Sequence, residues 1–216
     1  GRLFRRGPAG ELADALVAVT GYPHYVPEKE AVHVVPASGC AWESRTIAVT
    51  FGQRIEIEAR DPRPYVPELL GGRMPAQLVA LPGARSMLYP KHPGRYLLVD
   101  SLRLFSTAEV VVLKYATHDV TTPDGRYEIR GIPAGTVTLN AFSPQSGAET
   151  ERTLTLKPGQ TLELDLELRF DAEEYRRALA GSQKPAPPGS AAPATSASAA
   201  PNPEPPSSAP ARAKSP

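Results

Sequence analysis

Strict alternation of apolar and polar residues constrains this chain most. In Thr161–Leu168, TLELDLEL, the residues Leu162, Leu164, Leu166 and Leu168 fall on one side, and Glu163, Asp165 and Glu167 on the other. A two-residue period is the signature of a strand with one face buried, and it does not fit a helix. Ile55 and Ile57 repeat it within Gln53–Ala59, and Leu154 and Leu156 repeat it in TLTLK. Glu109–Ala116, EVVVLKYA, is apolar on both faces over several residues, as a central strand requires. Pro123-Asp124-Gly125, Pro133-Ala134-Gly135 and Pro158-Gly159 separate such stretches. Proline presets an early turn position, and glycine accepts the positive φ that follows. The first two turns bracket an expected short strand, Arg126–Arg130. Strands this close in sequence pair antiparallel, so the expected fold is all-β, a sandwich or barrel.

Helical signals are confined to one place. Within the expected short helix at 171–181, Asp171 can cap the N-terminus, Glu173 and Glu174 occupy the first turn, and Tyr175 and Leu179 share a face. The proline-rich stretch Pro62–Gly83 reads as loop with one short strand near Gln77–Ala80. Residues 183–216 contain no aromatic, Leu, Ile, Val or Met residue. Such a tail cannot bury enough apolar area to offset its ordering entropy and is expected to be disordered.

Composition removes several function classes. The net charge is +1, and the basic GRLFRR opening is too short to form the clustered field of a nucleic-acid binder. No apolar run is long enough to span a bilayer. Cys40 is the only cysteine, so no internal disulfide forms, and a lone cysteine reads first as a small buried hydrophobe. No G-x-S-x-G elbow or glycine-rich phosphate loop is present, and no catalytic residue is assigned. His24, His33, His92 and His118 do not stand at metal-ligand spacing. Only strand pairing could bring His24, His33 and Cys40 together around an ion, and no metal or other cofactor is expected.

Two stretches resemble known families. Val120–Ser143, VTTPDGRYEIRGIPAGTVTLNAFS, resembles the carboxypeptidase regulatory-like, or transthyretin-like, β domain through Thr121, Asp124, Gly125, Tyr127, Ile129, Ile132, Pro133, Gly135 and Leu139. Thr122 and Val137 depart from that pattern. The motif is a folding device of two turns and their strands, and it implies no catalytic group. The preceding part, about Cys40–Lys114, is similar to a cupredoxin at Asp61, Pro62, Pro93, Gly94, Tyr96 and Val110–Val112. Its type 1 copper site would need two imidazoles, a thiolate and a weak axial thioether. By the resemblance those positions fall on Tyr65, Arg103, Asp100 and Ser106, so the copper ligands are lost.

Gly7–Gly21 also looks like the opening of a regulatory-like domain. That implies two β-sandwich lobes, with residues 7–37 plus 117–169 as one discontinuous regulatory-like lobe and 38–116 inserted as a degenerate cupredoxin-like part. The other arrangement is two consecutive lobes, with Ala13–Thr20 as a strand of the cupredoxin-like one. The resemblance implies a non-catalytic binding or structural protein of the bacterial cell envelope, periplasmic or secreted, that engages a protein or glycan. A chain opening on Gly1 is expected to have lost a signal peptide. The runner-up function is a copper or other metal carrier with ligands of another kind. Arg60, Arg63, Tyr65, Arg103 and Phe105, on the two former ligand loops, are the expected partner-binding residues, because these types are enriched in interface hot spots.

Overall fold

The computed structural model describes residues 4–28, 30–72 and 79–182. The expected disorder of 183–216 and the first half of the strand expected at Gln77–Ala80 lie outside them. The strands are β1 (Leu16–Thr20), β2 (Val32–Ser38), β3 (Ala41–Trp42), β4 (Thr46–Thr50), β5 (Arg54–Ala59), β6 (Pro67–Leu70), β7 (Ser86–Leu88), β8 (Gly94–Asp100), β9 (Arg103–Leu113), β10 (His118–Val120), β11 (Gly135–Phe142) and β12 (Glu149–Leu156). One helix, α1 (Ala172–Ser182), follows. The protein is therefore mostly β-strand in several sheets with one short helix, as expected.

Three four-stranded sheets form, in the orders β3-β2-β5-β7, β4-β9-β8-β6 and β10-β1-β11-β12. The first two enclose a core that includes Val35, Trp42, Ile47, Ile55, Ile57, Tyr65, Leu88, Leu98 and Val110. Each contains one parallel pair, β2 with β5 and β4 with β9. β9 is the central strand that its two-sided apolar sequence calls for, paired to β4 on one side and β8 on the other.

The third sheet joins distant parts of the chain. β1 pairs antiparallel with both β10 and β11, across the whole intervening sandwich. Val17, Val19, Val137, Leu139 and Ala141 form its buried face. The expected division between residues 37 and 38 needs correction, because it would cut off all but the last residue of β2. That strand pairs with β5 from Val32↔Arg54 to Ala37↔Ala59, so it belongs whole to the sandwich.

Two expected strands carry no ladder. Among the described residues, Arg126–Arg130 and Thr161–Leu168 pair in no sheet. Their alternation still operates: Tyr127, Ile129, Leu164, Leu166 and Leu168 pack half-buried on the third sheet's core. Apolar period requires only a face to cover, whereas a strand also requires a neighbour at hydrogen-bonding distance. Here the links include side-chain bonds, from the Tyr127 hydroxyl to the Leu164 carbonyl at 2.8 Å and from the Glu128 N–H to the Asp119 carboxylate of β10 at 2.7 Å.

Asp14 links the third sheet to the sandwich. It is buried with φ 63°, a left-handed conformation that aspartate tolerates better than most residues. Its carboxylate accepts bonds from Arg5 Nε at 2.6 Å, Ser44 Oγ at 3.0 Å and the Arg45 N–H at 2.9 Å. Beside it, Leu16, Ala48 and Val111 form a small apolar seam between the sheets. At the far end Asp171 caps α1, accepting from the N–H groups of Glu173 at 2.8 Å and Glu174 at 3.0 Å.

Candidate functional site

The β2–β3 connection turns on Gly39 and Cys40, whose φ values are 58° and 69°. Two consecutive left-handed residues are what a tight hairpin between right-twisted strands demands, and glycine supplies the first without strain. The Cys40 position is strained, and its N–H donates to the Tyr65 hydroxyl at 3.3 Å. Asp61 gathers the rest of the turn. It accepts from the Gly39 N–H at 2.8 Å, the Arg63 guanidinium at 2.7 Å, the Arg63 N–H at 3.1 Å and the Tyr65 hydroxyl at 3.1 Å. Desolvation pushes the Asp61 carboxyl up, but these donors outweigh it and hold the group at about 2.

Tyr65 is fully buried, with its ring centroid 5.9 Å from that of Trp42. Desolvation, the largest influence, raises its hydroxyl above the ordinary tyrosine value. The guanidinium of Arg103 lies over the ring, 5.4 Å from its centroid. Arg103 also donates to Asp100 at 2.9 Å and to the Pro64 carbonyl at 3.0 Å. Asp100 is inaccessible to solvent and accepts in addition from the N–H groups of Val66 and Leu102, each at 3.1 Å. The hydrogen bond to Asp100 raises the Arg103 guanidinium above its already high ordinary value. Trp42 Nε1 donates to the Ser106 carbonyl at 3.2 Å, which ties the fourth position to the same cluster.

The four positions that the cupredoxin resemblance assigns to copper ligands are thus linked, but by a cation, an anion, a phenol and a backbone carbonyl. A permanently charged guanidinium ion-paired to the carboxylate at the thiolate position does not fit a soft, cationic copper centre. Among the described residues no cluster of three or more His, Cys, Asp or Glu side chains is arranged to hold a metal ion.

The expected partner-binding residues separate into two groups. Tyr65 is inaccessible to solvent and the Arg103 side chain is 19% exposed, and both make contacts within the protein. Arg60 and Arg63 are half-exposed, paired respectively with Glu43 at 3.0 Å and Asp61 at 2.7 Å. Phe105 is 77% exposed, and it stands beside Leu104 at 74% and Leu102 at 55%. Strand alternation would hide one of Leu104 and Phe105. A register shift between Val99 and Asp100 breaks the alternation, and Ser106 and Ala108 take up the inward row. Sequence reading found Phe105 but missed both leucines, because nothing in RLFS locates the bulge.

Residues 100–169 match the family model of the carboxypeptidase regulatory-like domain. The match begins at the β8–β9 hairpin, runs through β10, β11 and β12, and ends after the unladdered segment; β1 lies before it. No curated protein matches the chain. Solved structures of amicyanin variants resemble part of it. One in the Cu(I) form is 17% identical over 38% of this chain and 82% of its own, with a TM-score of 0.33. Another, reduced, is 14% identical over 44% and 97%, also at 0.33.

Proposed function

We propose that this chain is a non-catalytic binding protein of the bacterial cell envelope that engages a protein or glycan through the β8–β9 hairpin. One observation carries the reading: Leu102, Leu104 and Phe105 are all solvent-facing on a hairpin whose base is pinned by Asp100 and Arg103. Exposed apolar clusters of this kind mark interaction sites, and a pinned base lowers the ordering cost of binding. Arg63 lies on the neighbouring loop and offers a polar margin, while Tyr65 supports the loop from beneath. The chain is read as a regulatory-like β sheet whose first strand, β1, is separated from the rest by an inserted cupredoxin-like sandwich. The envelope setting rests on the family resemblance. No helix among the described residues is long and apolar enough to cross a membrane.

The test is paired capture from envelope extract and from immobilised glycans, using the unaltered chain, Phe105→Ser and Leu104→Ser. Both variants are expected to keep the urea midpoint, because the side chains are already in water, and to lose at least tenfold in capture. Unchanged capture by both removes this surface from consideration. Titration with Cu(II) is expected to give no intense thiolate-to-copper absorption. Such a band, abolished in Cys40→Ser, would establish the metal-carrier reading instead.

A further inference from the structure

A second candidate surface lies away from that hairpin. β3 leaves β2 after two residues, and the chain crosses at Glu43–Arg45 to enter the other sheet as β4. Among the described residues, β2 therefore has no strand on that side between Val32 and Pro36. The register decides which groups face the gap. Arg54 N–H donates to the Ala31 carbonyl and Arg60 N–H to the Ala37 carbonyl, so the odd-numbered residues of β2 bond to β5. The N–H and C=O groups of Val32 and Val34 then point the other way, and among the described residues no bond to them is recorded. Pro36 shares that edge, with its carbonyl taken by the Glu43 N–H at 3.0 Å. On the facing side, β4 bonds β9 through its odd-numbered residues, which turns the backbone of Ala48 toward the same gap.

The gap is a cavity of about 580 Å³, lined by Val32–Pro36 of β2, Thr46–Ala48 of β4 and His118–Val120 of β10. That volume suits a bound segment rather than a water or an ion. Glu28, Glu30 and Asp119 also line it, with Asp14 paired to Arg5, Glu43 paired to Arg60, and the imidazoles of His33 and His118 beside them. Alternating backbone donors and acceptors on an open edge recognise another extended backbone, and a surplus of carboxylates selects its charge.

We infer that this cleft binds an extended, basic segment of a partner protein, which adds as a strand to the open edge of β2 at Val32 and Val34. The open edge from Val32 to Pro36 spans about 17 Å at strand rise, enough for about five residues. This surface is independent of the hairpin proposed above, and either reading can fail without the other.

The test uses the full chain and a synthetic Lys-Val-Lys-Val-Lys peptide, with amide hydrogen exchange read at Val32 and Val34. Saturating peptide is expected to slow exchange at both amides at least tenfold while leaving the centre of β9 unchanged. A Glu-Val-Glu-Val-Glu peptide, and the lysine peptide with alternate backbone nitrogens methylated, are expected to give no protection. Glu30→Lys is expected to weaken the lysine peptide at least threefold; its side chain is exposed, so folding should be unaffected. Three outcomes overturn the inference. One is no protection at saturating lysine peptide, and another is equal protection by the glutamate peptide. The third is strong protection of Val32 and Val34 before any peptide is added, which would assign the edge to another part of this chain or to a second copy.

Discussion

The sandwich of β2–β9 and the sheet of β1 and β10–β12 solve the same problem differently. Both are built from alternating strands with one face to bury. The sandwich closes its core between two hydrogen-bonded sheets and leaves residues such as Leu98, Val110 and Ile57 wholly inaccessible. The other sheet is covered by Tyr127, Ile129, Ile132, Leu164, Leu166 and Leu168, which are only half-buried and lie on segments without a ladder. Apolar patterning alone thus brings a segment down onto a core. The backbone ladder is a separate achievement that requires a matching neighbour, and without it local stability should be lower.

The comparison breaks most sharply at Asp100. Asp100→Ala leaves the Arg103 guanidinium and the Val66 and Leu102 N–H groups without their acceptor in a site closed to water. A loss of about 3 kcal/mol or more is expected from urea unfolding. A loss below about 1 kcal/mol would mean the Asp100–Arg103 pair is not what holds that end of the sandwich.

A matched pair of truncations compares the two cores directly. Leu98→Ala, at an inaccessible site, should cost about 2–5 kcal/mol, and Leu166→Ala, in the half-buried cover, about 1 kcal/mol. Hydrogen exchange on the unaltered chain should agree, with fast amides in 126–132 and 161–168 and slow ones in β5 and β9. Equal protection in both regions would show that the cover is as firmly held as a ladder.

The smallest expected effect is on pH dependence. Burial is the main influence holding His33 below its ordinary value, the charge of His118 adds to it, and Glu28 and Asp119 partly oppose it. The folded form therefore takes up a proton less readily than the unfolded one. Stability from this group is present above the unfolded value of about 6.5 and declines as pH falls below it. Urea midpoints measured at pH 7.5 and 5.5 should fall with acidification, and His33→Gln should flatten the difference. An identical slope in the variant would assign the dependence to other groups.

Much of the fold was legible because local chemistry and burial agreed. Ile55 and Ile57 alternate and form β5, Val110–Val112 run apolar on both faces and occupy the centre of a sheet, and Asp171 caps the helix it precedes. The candidate site was legible only in part. Tyr65 and Phe105 are both aromatic loop residues in sequence, yet one is sealed beneath Arg103 and the other stands in solvent. Exposure depends on which strand runs overhead, and a linear pattern does not contain that information.

The sequence by itself determined that the chain is all-β, where β1, β5, β9 and β12 run, and which faces of β5 and β12 turn to a core. Those properties follow from the side-chain period and from residue identity. Tertiary structure alone decided that β1 pairs with β10 and β11 across the intervening sandwich, that Thr161–Leu168 covers a core without joining a sheet, and that the edge of β2 stands open beside carboxylates from separate parts of the chain. Each depends on which backbones meet at hydrogen-bonding distance, and the period of a strand says which way it faces but not which strand it meets.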